Sequence, residues 1–460
     1  MKSSKAETHA RVHRIPALRF EPEQRLTSYA GLVIFQALFY RLDLKQRFRR
    51  CFSHVDLQPI FGLHTVMQLL VVHLLLGYRR LRGLDYYRRD PLVARVLGLR
   101  VLPDVSTVSR ALSSADAKSV DGIRDVMRGM VAQRMTDEQF ARITLDFDGS
   151  VQSTTGHAEG TAVGFNKVKK GARSYYPLFC TVAQTGQFWD LHHRAGNVHD
   201  SNGAPRFLWT CITGVRAALP HATIESRMDA AFFDQDILRL LDTFAVEFTC
   251  SVPFERFPEI KRLIESCKAW KAIDDRWSFF EDDWKPKSWA AHFRFLFLRQ
   301  YSPRQRKGPL QLDLFEPVDY EYEYKVIVTN RRDTARSVLL FHNGRGSQEK
   351  IFGEAKQHAA LDLIATRRLH GNQLYTLAGM LAHNLARELQ MRALPRSAVA
   401  DAKRSAQWDF LQLGTLRQRL LHLAGRITHP QGELTLTLND NPVVREELLH
   451  YIAALRRRAA

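Results

Sequence analysis

HNGRGSQEKIFGEAK, residues His342–Lys356, is the stretch that decides how this chain is read. Two residues separate His342 from Arg345, three separate Arg345 from Glu349, and six separate Glu349 from Lys356. On a helix the step from Glu349 to Lys356 is two turns, so both side chains point the same way. An acid between bases on one stripe can hold a cation while the bases hold phosphates. Two further acids lie upstream, Asp148 in LDFDGS and Asp229 in IESRMDAAFF.

Asp146 and Asp148 stand two apart in ARITLDFDGSVQ, whose β-branched and aromatic residues suit a strand, so they share one face. Gly149 and Ser150 follow, where the strand should end and open. Asp148 is therefore the preferred first acid, with Asp146 as its alternate. Alone, Asp229 reads more readily as a helix cap for FDQDILRLL, and Glu349 as a surface acid. As a set of three they suit phosphodiester chemistry. Two divalent ions about 3.5–4 Å apart can serve both the attacking and the leaving oxygen if carboxylates hold them. Mg²⁺ prefers oxygen and keeps exchangeable waters, so few protein ligands suffice. The expected cofactor is a pair of Mg²⁺ ions, with Mn²⁺ as a substitute.

The chain has 460 residues, 45% hydrophobic and 25% charged, an ordinary globular composition. Sixty-seven Lys and Arg against 48 Asp and Glu give a net charge of +19, which favours a polyanionic partner. The bases are spread widely (Arg79, Arg80 and Arg82; Lys167, Lys169 and Lys170; Arg304, Arg306 and Lys307) and so fit a broad surface better than one arm. Five cysteines without a CxxC pair suggest neither a disulfide framework nor a structural zinc, and point to a reducing cytosol. The first twenty residues hold no signal-like apolar core. The most apolar run, Val66–Gly77, is too short for a bilayer and reads as a buried helix. No membrane partner is expected.

Residues 1–135 read as a helical, DNA-binding region. In LPDVSTVSRALSSADA, Asp104 or Ser106 can cap a helix that presents Thr107, Ser109 and Arg110 to DNA, as in the second half of a helix-turn-helix; a plain packing helix is the alternative. Residues 136–253 read as strands, then alternating helix and strand, hence an α/β layer. Residues 254–325, crowded with Trp270, Trp277, Trp284 and Trp289, read as a β-rich insertion. Its tryptophans are core in the plainer reading. Base stacking by Trp284 or Trp289 is the other. Residues 326–394 return to the core with the Glu349 helix, and 395–460 read as helical.

With these pieces in order, the chain resembles the DDE transposases of bacterial insertion sequences, whose subgroup marks its third acid with a Y-(2)-R-(3)-E-(6)-K signature. LDFDGS, GFNKVKKGARSYYPLFCTVAQTG, RAGNVHDSNGA and RMDAAFF look most like insertion-sequence family 1380, over roughly residues 60–390. The resemblance implies an α/β fold with an RNase H-like catalytic core. It makes Asp148, Asp229 and Glu349 the catalytic, metal-binding acids. Arg345, Lys356, His342, Arg110, Thr107, Lys169 and Lys170 are the expected DNA contacts. The implied partners are double-stranded DNA, as terminal inverted repeats and target, and further copies of the chain in a dimer or larger synaptic complex. The implied setting is the bacterial cytoplasm, at the nucleoid. His342 departs from the signature Tyr, and Ala230–Ala231 from the more usual Ser–Gly. These departures keep two alternatives open, an inactive DNA-binding descendant and a nuclease on the same fold.

Overall fold

The computed structural model describes residues 24–55, 61–164, 166, 169–199, 202–302, 322–397 and 402–456. Lys167, the bases at 304, 306 and 307, and nearly all of the loop before Tyr322 lie outside them.

A nine-stranded mixed sheet forms the centre. Its strands are β1 (Arg142–Gly149), β2 (Leu178–Val182), β3 (Gln187–His192), β4 (Thr223–Met228), β5 (Glu247–Ser251), β6 (Lys271–Ala272), β7 (Trp277–Asp282), β8 (Arg294–Tyr301) and β9 (Tyr322–Thr329), in the order β6-β7-β8-β9-β5-β4-β1-β2-β3. β1 runs parallel to β4, and β4 to β5; every other pair is antiparallel. The hairpin β2–β3 turns at Gly186, whose φ of 60° is left-handed and suits glycine.

Period-two alternation divides β1 between two layers. Ile143, Leu145 and Phe147 are buried in one apolar cluster, together with residues of the helices Ala204–Ala218 and Gln235–Thr243. Thr144, Asp146 and Asp148 therefore face the other side. Helices α1 (Leu32–Arg41), α2 (Leu44–Cys51), α3 (Leu63–Leu75), α4 (Pro91–Val96), α5 (Val105–Ser113) and α6 (Ala117–Asp137) precede the sheet. α3 is buried at every position but His64, as its apolar run implies. Asp104 caps α5 by accepting from the Thr107 amide at 2.7 Å.

After β9 come α10 (Ala335–Asn343), α11 (Gly346–Ala359) and α12 (Leu369–Ala393); α7, α8 and α9 are Ala204–Ala218, Gln235–Thr243 and Pro258–Ser266. α11 docks on β2 and β3 through Phe352, whose ring lies 5.4 Å from Phe179 and 6.0 Å from Phe188.

The expected insertion does not form a sheet of its own. β6, β7 and β8 extend the central sheet beyond β9. Phe295 and Phe297 of β8 pack into the cluster that holds Phe248, while Leu296 and Leu298 pack on the opposite face with Val338 and Leu339 of α10. A strand buried on both faces belongs inside a sheet. The tryptophans are engaged in this packing. Trp289 stacks on Phe233 at 4.6 Å, and Trp284 meets Phe257 and Phe295 edge-on, each at 5.2 Å.

The C-terminal part is not helical throughout. Gly425–Thr428 and Thr435–Leu438 are strands that form a small sheet with Leu26–Thr27. The alternation in TLTL overrides the helical reading there.

Candidate active site at the ends of two parallel strands

Two rungs cross from β1 to β4 on the polar face. The parallel register sets Thr144 opposite Glu225, Asp146 opposite Arg227, and Phe147 opposite Met228. Asp148 and Asp229 are the next residues along the two strands after the last paired positions, Phe147 and Met228. Neighbouring strands lie about 4.7–4.9 Å apart, and Asp148 and Asp229 continue the face that Asp146 and Arg227 share.

The first rung is satisfied. Thr144 Oγ1 donates to Glu225 Oε2 at 2.9 Å, and Arg142, Arg331 and Arg404 also hold this buried carboxylate. Burial alone would raise the Glu225 pKa; Arg404 and Arg331 bring it down to about 2. The second rung is satisfied too. Arg227 donates from Nε and Nη2 to the two oxygens of Asp146, both at 2.6 Å, and neither residue has any exposed surface. Complete burial pushes the Asp146 carboxyl upward, and the Arg227 charge pulls it back. Asp146, the alternate first acid, is thereby consumed by the fold and withdrawn from solvent.

The acids just beyond these rungs differ in kind. Asp148 and Asp229 are both half-buried acids at strand ends, and like charges set opposite one another are destabilising. Asp229 accepts from the Ala231 amide at 3.0 Å, and so caps the short turn Ala230–Phe232. The helix beyond, α8, takes Asp234 as its cap instead. The thiol of Cys250 donates to the Asp229 carbonyl at 3.2 Å, tying the second acid to β5.

The third acid arrives on α11. Arg345, at the N-terminus of that helix, places Nη1 3.5 Å from Asp148 Oδ2 and Nη2 3.5 Å from Glu349 Oε1. Its guanidinium stands between the first and third acids. Gln348 fixes the approach. It is fully buried, and its Nε2 donates to the Asp146 carbonyl at 2.8 Å. The sequence reading missed it, although a signal exists: Gln348 falls in register with Ile351, Phe352 and Ala355 on the packed face of α11. Glu349 itself points outward, 67% exposed.

Among the described residues, no three carboxylate, His or Cys side chains stand close enough to clasp a metal as placed. The donor chemistry nonetheless fits a hard divalent ion. All three acids offer only oxygen, and a cationic group, the Arg345 guanidinium, already lies against two of them.

His342 is not at the surface. It is buried with Nε2 2.9 Å from Ser251 Oγ and Nδ1 3.1 Å from Thr249 Oγ1. Burial lowers its pKa well below the ordinary value, and Lys325, Arg345 and Arg227 add to the effect, so the ring is a neutral tie between α10 and β5. It cannot meet phosphate, and that expectation is corrected. Beside it, Gly344 permits a close contact: a Cβ there would collide with the Lys403 carbonyl and the Arg227 guanidinium.

A groove of 2040 Å³ begins at Gly149–Ser150, just past Asp148. It runs by Lys169 and Lys356 to Arg79, Arg80, Arg82 and Tyr86, with Val105 and Ser109 of α5 on its wall. Lys170 and Arg110 are exposed and Thr107 is half-buried; Arg110 Nη2 donates to Thr107 Oγ1 at 3.3 Å.

A family model described as "Transposase DDE domain group 1" matches residues 22–460. No curated protein matches. Among solved structures, a piggyBac transposase synaptic complex with hairpin DNA is similar at 10% identity, over 85% of this chain and 80% of that one, with a TM-score of 0.42. A Mos1 transposase paired-end complex with the left transposon end is similar at 10% identity, over 51% of this chain and 60% of that one, with a TM-score of 0.17. Likenesses as slight as these carry no argument about individual residues.

Proposed function

The chain belongs to the transposase DDE domain group 1 family, and on that premise we propose that it is a DNA transposase whose three acids are Asp148, Asp229 and Glu349. The observation that carries this reading is the pair of acids that follow the last paired positions of β1 and β4. Two rungs of the same strand pair hold matched partners, the next residue along each strand is an acid, Asp148 on one and Asp229 on the other, and Glu349 is joined to Asp148 through Arg345. Such an arrangement costs stability and makes sense around a cation.

We read β3-β2-β1-β4-β5 as an RNase H-like core. Asp148, Asp229 and Glu349 would hold a pair of divalent ions, Mg²⁺ or Mn²⁺. Such ions supply activation of the attacking oxygen and neutralisation of the leaving one. Arg345 and Lys356 hold the phosphates on either side of the cut, and Gln348 and Cys250 keep the acid-bearing elements in place. The groove with Lys169, Lys356 and Arg79–Arg82 takes the duplex. Thr107 and Arg110 of α5, with Lys170, extend the contact toward the terminal inverted repeats. Cutting two ends together calls for two or more copies of the chain. In this reading the protein is a member of the insertion-sequence 1380 group and works on the bacterial nucleoid. The His342 departure no longer favours an inactive descendant, because that residue serves packing and not DNA.

The test is strand transfer with DNA carrying the inverted repeats that flank the reading frame, in Mg²⁺. The wild type should join cut ends to target, and Glu349→Gln should yield neither nicks nor joined product. Joining by Glu349→Gln at the wild-type rate would refute the acid assignment; free ends without joining in the wild type would select a nuclease.

A further inference from the structure

We infer that the exposed ring of Tyr86 is a stacking site for an unpaired nucleobase of the DNA that occupies the groove. The inference rests on the transposase reading but names a subsite outside the three acids.

Tyr86 is 83% exposed, unusual for a ring of its size. It is not loose. Its ring lies parallel to Tyr78, within 10° and with centroids 6.0 Å apart. Tyr78 in turn packs on Tyr87 at 5.0 Å and on His73 at 5.7 Å, and its hydroxyl is 2.6 Å from that of Tyr29. Tyr87 is buried and its hydroxyl lies 2.7 Å from His73 Nδ1. Tyr86 is thus the outermost ring of a stack rooted in the helical core. The backbone is shaped for it: a Cβ on Gly83 would come within 2.7 Å of Tyr78 Cδ1.

The ring is therefore aligned by an offset contact with Tyr78 and is otherwise largely open to solvent. What could cover it is decided by the surroundings. Arg79, Arg80 and Arg82 share its groove, which reaches Lys356 and the strand end beside Asp148. Cations along a groove with an aromatic platform suit a flat ring that carries its own phosphate. An apolar protein side chain would gain nothing from the arginines. Stacking of this kind is indifferent to base identity, because every base has a π-face. It does need the base to be out of the duplex stack.

The experiment uses the full chain and two probes: a DNA duplex with a short gap that leaves one 2-aminopurine unpaired, and the same duplex fully paired. The wild type should bind the gapped probe more tightly and quench its fluorescence. Tyr86→Ala should weaken the gapped complex by between about fivefold and 150-fold, the range for one base–aromatic stack. It should leave the paired complex and the Tm unchanged, and Tyr86→Phe should restore binding and quenching. Equal affinity of Tyr86→Ala and wild type for the gapped probe overturns the inference while paired-duplex binding leaves the transposase reading standing. An equal loss on both probes overturns it in favour of a backbone contact. A drop in oligomer mass on Tyr86→Ala overturns it in favour of a second copy of the chain. A wild type that binds neither probe overturns both readings.

Discussion

Exchanging Asp146 and Asp148 separately for Asn should separate two acids that lie two residues apart. Asp146 is wholly buried and takes two 2.6 Å bonds from Arg227. After Asp146→Asn, Arg227 keeps the carbonyls of Phe341 and Lys403, but its charge sits uncompensated where no solvent reaches. Removing one partner of a buried pair costs about 3–5 kcal/mol, a large part of a total stability of about 5–15 kcal/mol. With ΔS of unfolding of about 1 kcal/mol/K for 460 residues, a fall in Tm on the order of 3–5 °C should follow. Asp148 lies instead at a partly exposed strand end, 3.5 Å from Arg345, and a pair of that kind contributes about 0–1 kcal/mol. Asp148→Asn should therefore melt within about 2 °C of the wild type and lose metal-dependent nicking. Thermal unfolding followed by circular dichroism, with a plasmid-nicking assay on the same samples, reads both outcomes. An Asp146→Asn protein as stable as the wild type would refute the buried-pair argument, and a fully active Asp148→Asn would refute the choice of first acid.

Arg345→Ala takes away the guanidinium between Asp148 and Glu349. Each contact is a partly exposed pair of at most about 1 kcal/mol, so calorimetric Mn²⁺ binding should tighten by up to about fivefold while DNA binding weakens; looser metal binding would count against the stand-in role. Lys356→Ala should lower the slope of log K against log salt by about 0.9 for duplex DNA of any sequence, and an unaltered slope would take Lys356 out of the groove contact. Stability should fall as the solution is acidified. Burial holds His73 and His383 down to about 4 and His193 to about 3, with His342 well below its usual value. Unfolded, each binds a proton near pH 6.5; folded, it does not, so the unfolded state gains protons as pH falls from there toward 4. The loss is about 1.4 kcal/mol per pH unit for each histidine, and a Tm that stays level from pH 7.5 to 5 would contradict it.

The sequence gives the strand ends well and their depth poorly. Gly149 and Ser150 after Asp148 mark where β1 opens, and the period of two puts Asp146 on the same face. Nothing local says that Asp146 sinks out of reach, because its mate Arg227 is 81 residues away and pairs with it only through the parallel register. His342 misleads for a related reason. Its place in a DNA-contact signature outweighed the apolar periodicity of VLLFH, which puts it on the packed side of α10. Within the expected β-rich insertion, 254–325, the strand β8 was legible, whereas the helix Pro258–Ser266 was not. The insertion's merger with the central sheet depends on pairing between β9 and β5, residues separated by a long insert. The helix stop before Gly425 was hidden by the long-range partner of that strand, Leu26–Thr27.

That merger has a mechanical side. From β6 to β3 one hydrogen-bonded sheet, with a register shift between β2 and β3, includes β1 and β4, the strands that lead to Asp148 and Asp229. A load applied at the far rim passes along the hydrogen-bonded strands instead of being taken up between two separate sheets. It is shared along the plate as a change of twist, so that a displacement of one margin and the alignment of the acids near the other become a single elastic deformation.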